Sequence, residues 1–136
     1  MERPIIRDVI VLSQKSVPAV REDKSVAEDL RDTLLAHREE CAGMAANMIG
    51  AAKTILVFFD GGKPVTMYNP EIVKAEKPYE TEEGCLSLPG RRPCRRYRTV
   101  TVRYRDEKFR PREKRFSGFS AEVIQHEMDH FEGILI

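Results

Sequence analysis

A mixed architecture of helix and strand is predicted by three observations. Ser25 followed three residues later by Glu28 is a capping-box pair, and Val26, Leu30 and Leu34, with Ala27 and Leu35, form an apolar face at helical spacing. From Ile55 to Phe116 the pattern changes to short β-branched and aromatic runs, cut by Asp60-Gly61-Gly62, Asn69-Pro70 and Pro89-Gly90. After Gly118 helical spacing returns with Val123, Ile124, Met128 and Phe131. A chain of 136 residues, 41% hydrophobic, suits one core, so residues 1–136 are expected to form a single domain.

Residues 1–24 mix the apolar runs Val9 to Leu12 and Val17 to Val20 with Pro4 and Pro18, which predicts an extended arm with at most a brief helical turn. The first helix is placed from about Val26 to Glu40. His37 lies near its C-terminus, where a histidine is favourable without any role as a ligand. Cys41 to Gly50 is a run of small residues that lets backbone come close to a strand or a substrate. Ile55 to Phe59 is expected as a buried strand, turned by Asp60-Gly61-Gly62 into a second strand from Val65 to Tyr68 that ends at Asn69-Pro70. Glu71 to Lys77 adds a further extended piece. Arg91 to Arg98 reads as a solvated, self-repelling basic loop rather than a phosphate-contacting patch, because no nucleic-acid fold signature accompanies it. Val100, Val102 and Tyr104 alternate with polar residues as a half-buried strand does, Arg112 to Phe116 pairs back, and the last helix starts near Gly118 or Ser120, with Ser117 or Ser120 as its cap and Gly133 at its end.

Twenty-three Lys and Arg against 22 Asp and Glu give a net charge of +1, so no global field draws the protein to nucleic acid or to a membrane surface. Neither a membrane span nor a signal peptide is read in the sequence, and three scattered cysteines do not make a disulfide framework. The expected location is the cytoplasm.

The chemistry is concentrated in Gln125-His126-Glu127-Met128-Asp129-His130 and Glu83-Gly84-Cys85-Leu86-Ser87. Residues four apart share one face of a helix, so His126 and His130 can direct two imidazoles at one metal ion while Glu127 sits beside them as a base. Tetrahedral hydrolytic sites take three protein ligands and keep a fourth position open, and Cys85 is the best-placed third ligand. Thiolate with two imidazoles suits zinc or ferrous iron and not magnesium or calcium. Gln125 and Asp129 are expected to support the ligands from behind, by accepting from an imidazole or by pairing with an arginine of the basic run.

Together these motifs closely resemble those of the peptide deformylases, whose signatures are Gly-x-Gly-x-Ala-Ala-x-Gln, Glu-Gly-Cys-Leu-Ser and Gln-His-Glu-x-Asp-His. The second and third stand intact at Glu83 to Ser87 and Gln125 to His130, with Asn69-Pro70-Glu71-Ile72, Leu88-Pro89-Gly90 and Gly133 in support. The resemblance implies an α+β fold, with small antiparallel or mixed sheets packed around a central C-terminal helix that carries the ligands, plus an N-terminal helix. It implies hydrolysis of the formyl group from the N-terminal formyl-methionine of nascent polypeptides. The implied cofactor is one divalent ion, Fe(II), with zinc, nickel or cobalt as substitutes. Partners are formylated N-terminal peptides, with no membrane and no specific nucleic acid. Cys85, His126 and His130 would hold the ion, and Glu127 would carry the proton. The N–H of Leu86 would receive the developing negative charge, and Gly43, Met48, Gly84 and Leu86 would line the substrate.

The first signature is altered: Cys41 replaces its first glycine, Gly43 and Ala45-Ala46 are kept, and Met48 stands where the glutamine belongs. A thioether has no N–H to offer an oxyanion, and losing one such donor typically slows turnover by about 10²- to 10³-fold. Asn47 is adjacent but on an extended segment would face the other way. A slowed deformylase is therefore expected. The competing readings are a non-catalytic metal-binding relative, a hydrolase of another small amide and a zinc protease. The cysteine motif counts against the protease, and Glu127 counts against a closed structural site, which has no use for a carboxylate beside the metal.

Overall fold

A computed structural model describes residues 1–135. Five strands, β1 (Gly43–Ala45), β2 (Ile55–Asp60), β3 (Lys63–Cys85), β4 (Leu88–Arg105) and β5 (Pro111–Ser117), form one antiparallel sheet in the order of the chain. Three α-helices accompany it: α1 (Val9–Leu12), α2 (Lys24–Ala36) and α3 (Gly118–Phe131). The α+β class and the C-terminal helix are as expected, with a single meander in place of several small sheets.

Strand β2 explains the layering. Ile55, Leu56, Val57 and Phe58 are all buried, and alternation sends neighbours to opposite faces of the sheet. Leu56 and Phe58 join Val100, Val102 and Phe116 against Ala121, Ile124 and Phe131 of α3. Ile55 and Val57 join Met44 and Tyr68 against Leu30 and Leu34 of α2. The four-residue apolar run is thus the centre of a helix–sheet–helix stack, each side chain contributing about 1.5–3 kcal/mol by burial.

Three boundaries differ from expectation for identifiable reasons. Helix α2 runs from Lys24 to Ala36, not 26 to 40. Ser25 lies inside it, and the entry is set by a 3-10 turn, Arg21–Asp23, in which Val20 N–H donates to Asp23 Oδ2 at 2.9 Å. Strand β3 does not stop at Asn69-Pro70. Asn69 takes a positive φ of 51° in a bulge between Tyr68 and Glu71, and the strand continues beyond it. The Asn69 side chain also clips the arm to the sheet, its Oδ1 accepting from Ala19 N–H at 2.8 Å and its Nδ2 donating to Ala19 O at 2.9 Å. The basic run Arg91 to Arg98 is not a loop but part of β4. It pairs with the acidic end of β3, Glu80 opposite Arg95 and Glu83 opposite Arg92, and Arg96 reaches Glu83 across the ladder at 2.7 Å.

Helix α3 enters through Gly118 at φ +61°. Ser117 holds the N-cap position without a side-chain cap bond, and Ser120 Oγ bonds Asp60 Oδ1 at 3.1 Å instead. Its exit is a left-handed turn at Gly133 (φ +74°), with Gly133 N–H donating to His130 O and Ile134 N–H to Asp129 O, both 3.1 Å. A β-carbon at Gly133 would collide with the backbone of Ser13, so only glycine lets arm and helix end meet there.

Candidate metal centre

Strand β3 delivers Cys85 at its last residue, and one turn of α3 delivers His126 and His130. The three donor atoms lie within 4.8 Å of one another. Cys85 Sγ is 3.5 Å from His130 Nε2, and the two imidazole rings meet edge to face with centroids 4.8 Å apart. Glu127 Oε1 is 3.9 Å from His126 Nε2 and 4.0 Å from His130 Nε2. Its Oε2 is buried with no hydrogen-bond partner, on a residue only 3% exposed. A soft sulfur, two imidazole nitrogens and an unpartnered carboxylate oxygen fit one divalent ion of zinc or ferrous type with a neighbouring proton acceptor.

Behind the ligands runs a chain of buried charge. His126 Nδ1 sits 2.7 Å from Glu83 Oε1, which fixes the ring so that Nε2 faces the other donors. Glu83 is gripped by the Arg96 fork, Nη2 to Oε1 at 2.7 Å and Nε to Oε2 at 3.0 Å, and Arg96 Nη1 donates to Asp129 Oδ2 at 2.7 Å. Asp129 therefore reaches the centre through an arginine of the basic run. Among the described residues the Gln125 amide bonds backbone and not an imidazole. Its Oε1 accepts from Tyr97 N–H and its Nε2 donates to Tyr97 O, both 2.8 Å, so it pairs with β4 as a strand would and fixes α3 beneath the sheet.

Electrostatics make the two histidines unequal. Burial alone would lower His126, but the Cys85 thiol and the Glu83 carboxylate outweigh it and hold the ring up at about 10. Burial and the adjacent His126 charge bring His130 down to about 3. Burial raises Glu127 to about 7 against the pull of His126. Glu83 moves the other way: bonds from His126 and Arg96 overcome burial and hold its carboxyl far below the usual range. The donor group thus favours positive charge at His126, and a divalent ion would supply that charge in place of the proton.

A cleft of about 490 Å³ opens on this centre, and Gly43, Met48, Gly84 and Leu86 all line it, together with Cys85, His126 and Glu127. Gly43 lies on β1, at the edge of the sheet. A β-carbon there would approach Val123 Cγ1 to 2.6 Å. Ile124, considered from the sequence as a pocket floor or as core, is fully buried core.

A family model described as polypeptide deformylase matches residues 4–136. The chain belongs to the polypeptide deformylase family. It is 55% identical over 136 residues to a peptide deformylase of Clostridium beijerinckii, covering all of both chains. It superposes on a crystal structure of a Legionella pneumophila peptide deformylase with a TM-score of 0.89 at 34% identity, covering 99% of this chain and 83% of that one. A class I type b peptide deformylase of Acinetobacter baumannii, crystallised with Met-Ala-Ser bound, gives a TM-score of 0.87 at 27% identity over 99% and 97% of the two chains. The activity is that of a metal-dependent hydrolase removing the formyl group from N-terminal formyl-methionine.

The altered first signature lies beside this centre. Ala46–Ile49 is a 3-10 turn, not an extended segment. Met48 is buried on the cleft wall, and the neighbouring amide is committed elsewhere, Asn47 Nδ2 donating to His130 O at 2.9 Å. Cys41 stands apart from the three-donor group. Burial and the Glu127 charge push its thiol up to about 12, and it donates to Gly43 O at 2.8 Å. Sequence reasoning allowed for an arginine of the basic run beside Asp129 but did not single out Arg96, and it missed the contacts of Glu83 with Arg96 and His126. The signal available was alternation, which places Glu83 and Cys85 on one face of β3.

Proposed function

We propose that this deformylase hydrolyses formyl-methionyl peptides with Cys85, His126 and His130 as metal ligands and Glu127 as proton carrier, at a rate limited by the missing donor at Met48. The observation that carries the reading is Glu127: buried, within 4.0 Å of both imidazole Nε2 atoms, with Oε2 unpartnered. A purely structural metal site has no use for such a group. Held by these three residues, a divalent ion would supply Lewis acidity and acidify water in its open position. The Glu127 carboxylate takes the attacking water's proton and returns it to the departing amine nitrogen, a task suited to a group raised toward neutral pH. The Leu86 N–H donates to the formyl oxygen as it becomes anionic. Gly43 and Gly84 leave room for the peptide backbone to lie extended beside β1, with Met48 and Leu86 as apolar walls.

By resemblance the ion is Fe(II), with zinc, nickel or cobalt able to replace it. The substrates are the formylated ends of nascent chains, the location is the cytoplasm, and residues 1–136 act as one domain. No helix among the described residues is long and apolar enough to cross a membrane. The test is to load the protein anaerobically with iron or nickel and follow formate release from a formyl-methionyl peptide. Glu127→Ala is expected to keep the metal and lose turnover, and retained turnover would remove Glu127 from the reaction. Met48→Gln is expected to raise turnover, and an unchanged or lower rate would show that the donor is not limiting.

A further inference from the structure

The N-terminal arm touches the cleft at two points that no signature covers. Ile6 N–H donates to Met48 O at 2.8 Å, and Arg7 Nη1 donates to Leu86 O at 2.9 Å. Leu86 and Ser87 form the two-residue turn between β3 and β4, bounded by the Cys85–Leu88 pair. The turn is weakly held from within. Ser87 Oγ is buried without a partner, and among the described residues the Leu86 N–H meets no backbone or side-chain acceptor. A free N–H is what a donor to substrate requires, but its direction must then be set by its neighbours. With Met48 offering no donor and the Asn47 amide bound to His130 O, that one N–H carries more of the charge than it would beside a glutamine.

We propose that Arg7 is a positioning residue for deformylation: by holding the Leu86 carbonyl from outside the cleft, it fixes the turn so that the Leu86 N–H points at the reacting oxygen. This rests on the role given to Leu86 above. A guanidinium is suited to the task because its planar fork of donors makes a charge-assisted bond to a carbonyl. Its own exposure keeps the contribution moderate. A tilt of the turn weakens a bond that strengthens only as charge develops, so the effect falls on kcat and not on KM.

The experiment measures formate release from a formyl-methionyl peptide, and the thermal midpoint, for the metal-loaded wild type, Arg7→Ala, Arg7→Lys, Met48→Gln and the double variant Arg7→Ala with Met48→Gln. Arg7→Ala is expected to lower kcat about three- to tenfold, the range for one ordinary hydrogen bond and below that of a buried charged one because the guanidinium is exposed, with KM changed less than twofold. Arg7→Lys is expected to recover most of that loss. In the Met48→Gln background the Arg7→Ala loss is expected to shrink by at least half, since a second donor shares the charge. A loss of equal size in both backgrounds, a change confined to KM, or equal effects of Ala and Lys would overturn the role of Arg7. Failure of Met48→Gln to raise turnover would overturn the donor shortage itself, and Arg7 with it. A raised Met48→Gln rate with no Arg7 effect would overturn Arg7 alone.

Discussion

Two arginine–carboxylate trios of inverse make-up, one arginine between two acids and one acid between two arginines, hold their arginines at different depths in this deformylase. Glu83, Arg96 and Asp129 are packed between β3, β4 and α3, with the Arg96 side chain 5% exposed. Asp106, Arg110 and Arg112 sit at the β4–β5 turn, where Arg110 and Arg112 both reach Asp106 Oδ2 at 3.0 to 3.1 Å and both arginines are more than half exposed. In the outer cluster both arginines stand in water, which competes for their charge, so the cluster holds a turn and little else. In the inner cluster Arg96 and Glu83 are shut away from water that could replace a lost partner, and the same chemistry links α3 to the ring of His126. Depth, rather than the number of ion pairs, decides which cluster matters to function.

Removing Arg96 should break this contrast most severely. Arg96→Ala leaves the buried Glu83 with His126 as its one remaining charged partner and frees half-buried Asp129, and is expected to cost about 3–5 kcal/mol, read as a fall in unfolding midpoint together with lost turnover. Glu83→Gln is milder. It keeps an acceptor for His126 while removing the charge, and is expected to lower metal affinity about 10- to 100-fold, measured by competition with a chromogenic chelator. At the outer cluster, Asp106→Asn is expected to cost less than about 1 kcal/mol and to leave kcat/KM unchanged. A large effect there would dissolve the distinction.

Acid titration sharpens the comparison by least. Asp106 is held down to about 2 because bonds from Arg110, Arg112 and Lys108 outweigh its burial. A depressed carboxylate stabilises the fold above its ordinary value of 3.8 and loses that contribution as pH falls toward 2. Glu83 is depressed still further, so its contribution persists to lower pH. Unfolding midpoints of Asp106→Asn and wild type are expected to converge between pH 4 and pH 2, and a gap that widened there would reverse the assigned sign.

Local pattern made much of this legible in the sequence. The apolar run Ile55 to Phe58, the glycine pair at the β2–β3 turn and the four-residue spacing of His126 and His130 each act within a few residues, and the structure places them as their periodicity implies. What escaped depended on partners far along the chain. Arg96 looked like one basic residue among many because its two carboxylates are 13 positions before it and 33 after. Asn69-Pro70 looked like a strand end because Ala19, which rewards the bulge, is 50 residues away. Asn47 was set aside on the geometry of an extended segment, and a 3-10 turn aims it at His130 instead.

The contact of Gly133 with Ser13 has a consequence for how the enzyme comes into being. Ser16 N–H also donates to Phe131 O at 2.7 Å, and Lys15 lies 3.6 Å from Glu132, so the far end of the reactive helix is moored to residues made more than a hundred positions earlier. During synthesis the arm must wait, unmoored, until α3 has left the ribosome. A chain halted before residue 126 has no histidine pair to offer a metal. The centre that trims other newborn chains thus closes only on contacts more than a hundred residues apart, and such distant closure makes for slow folding.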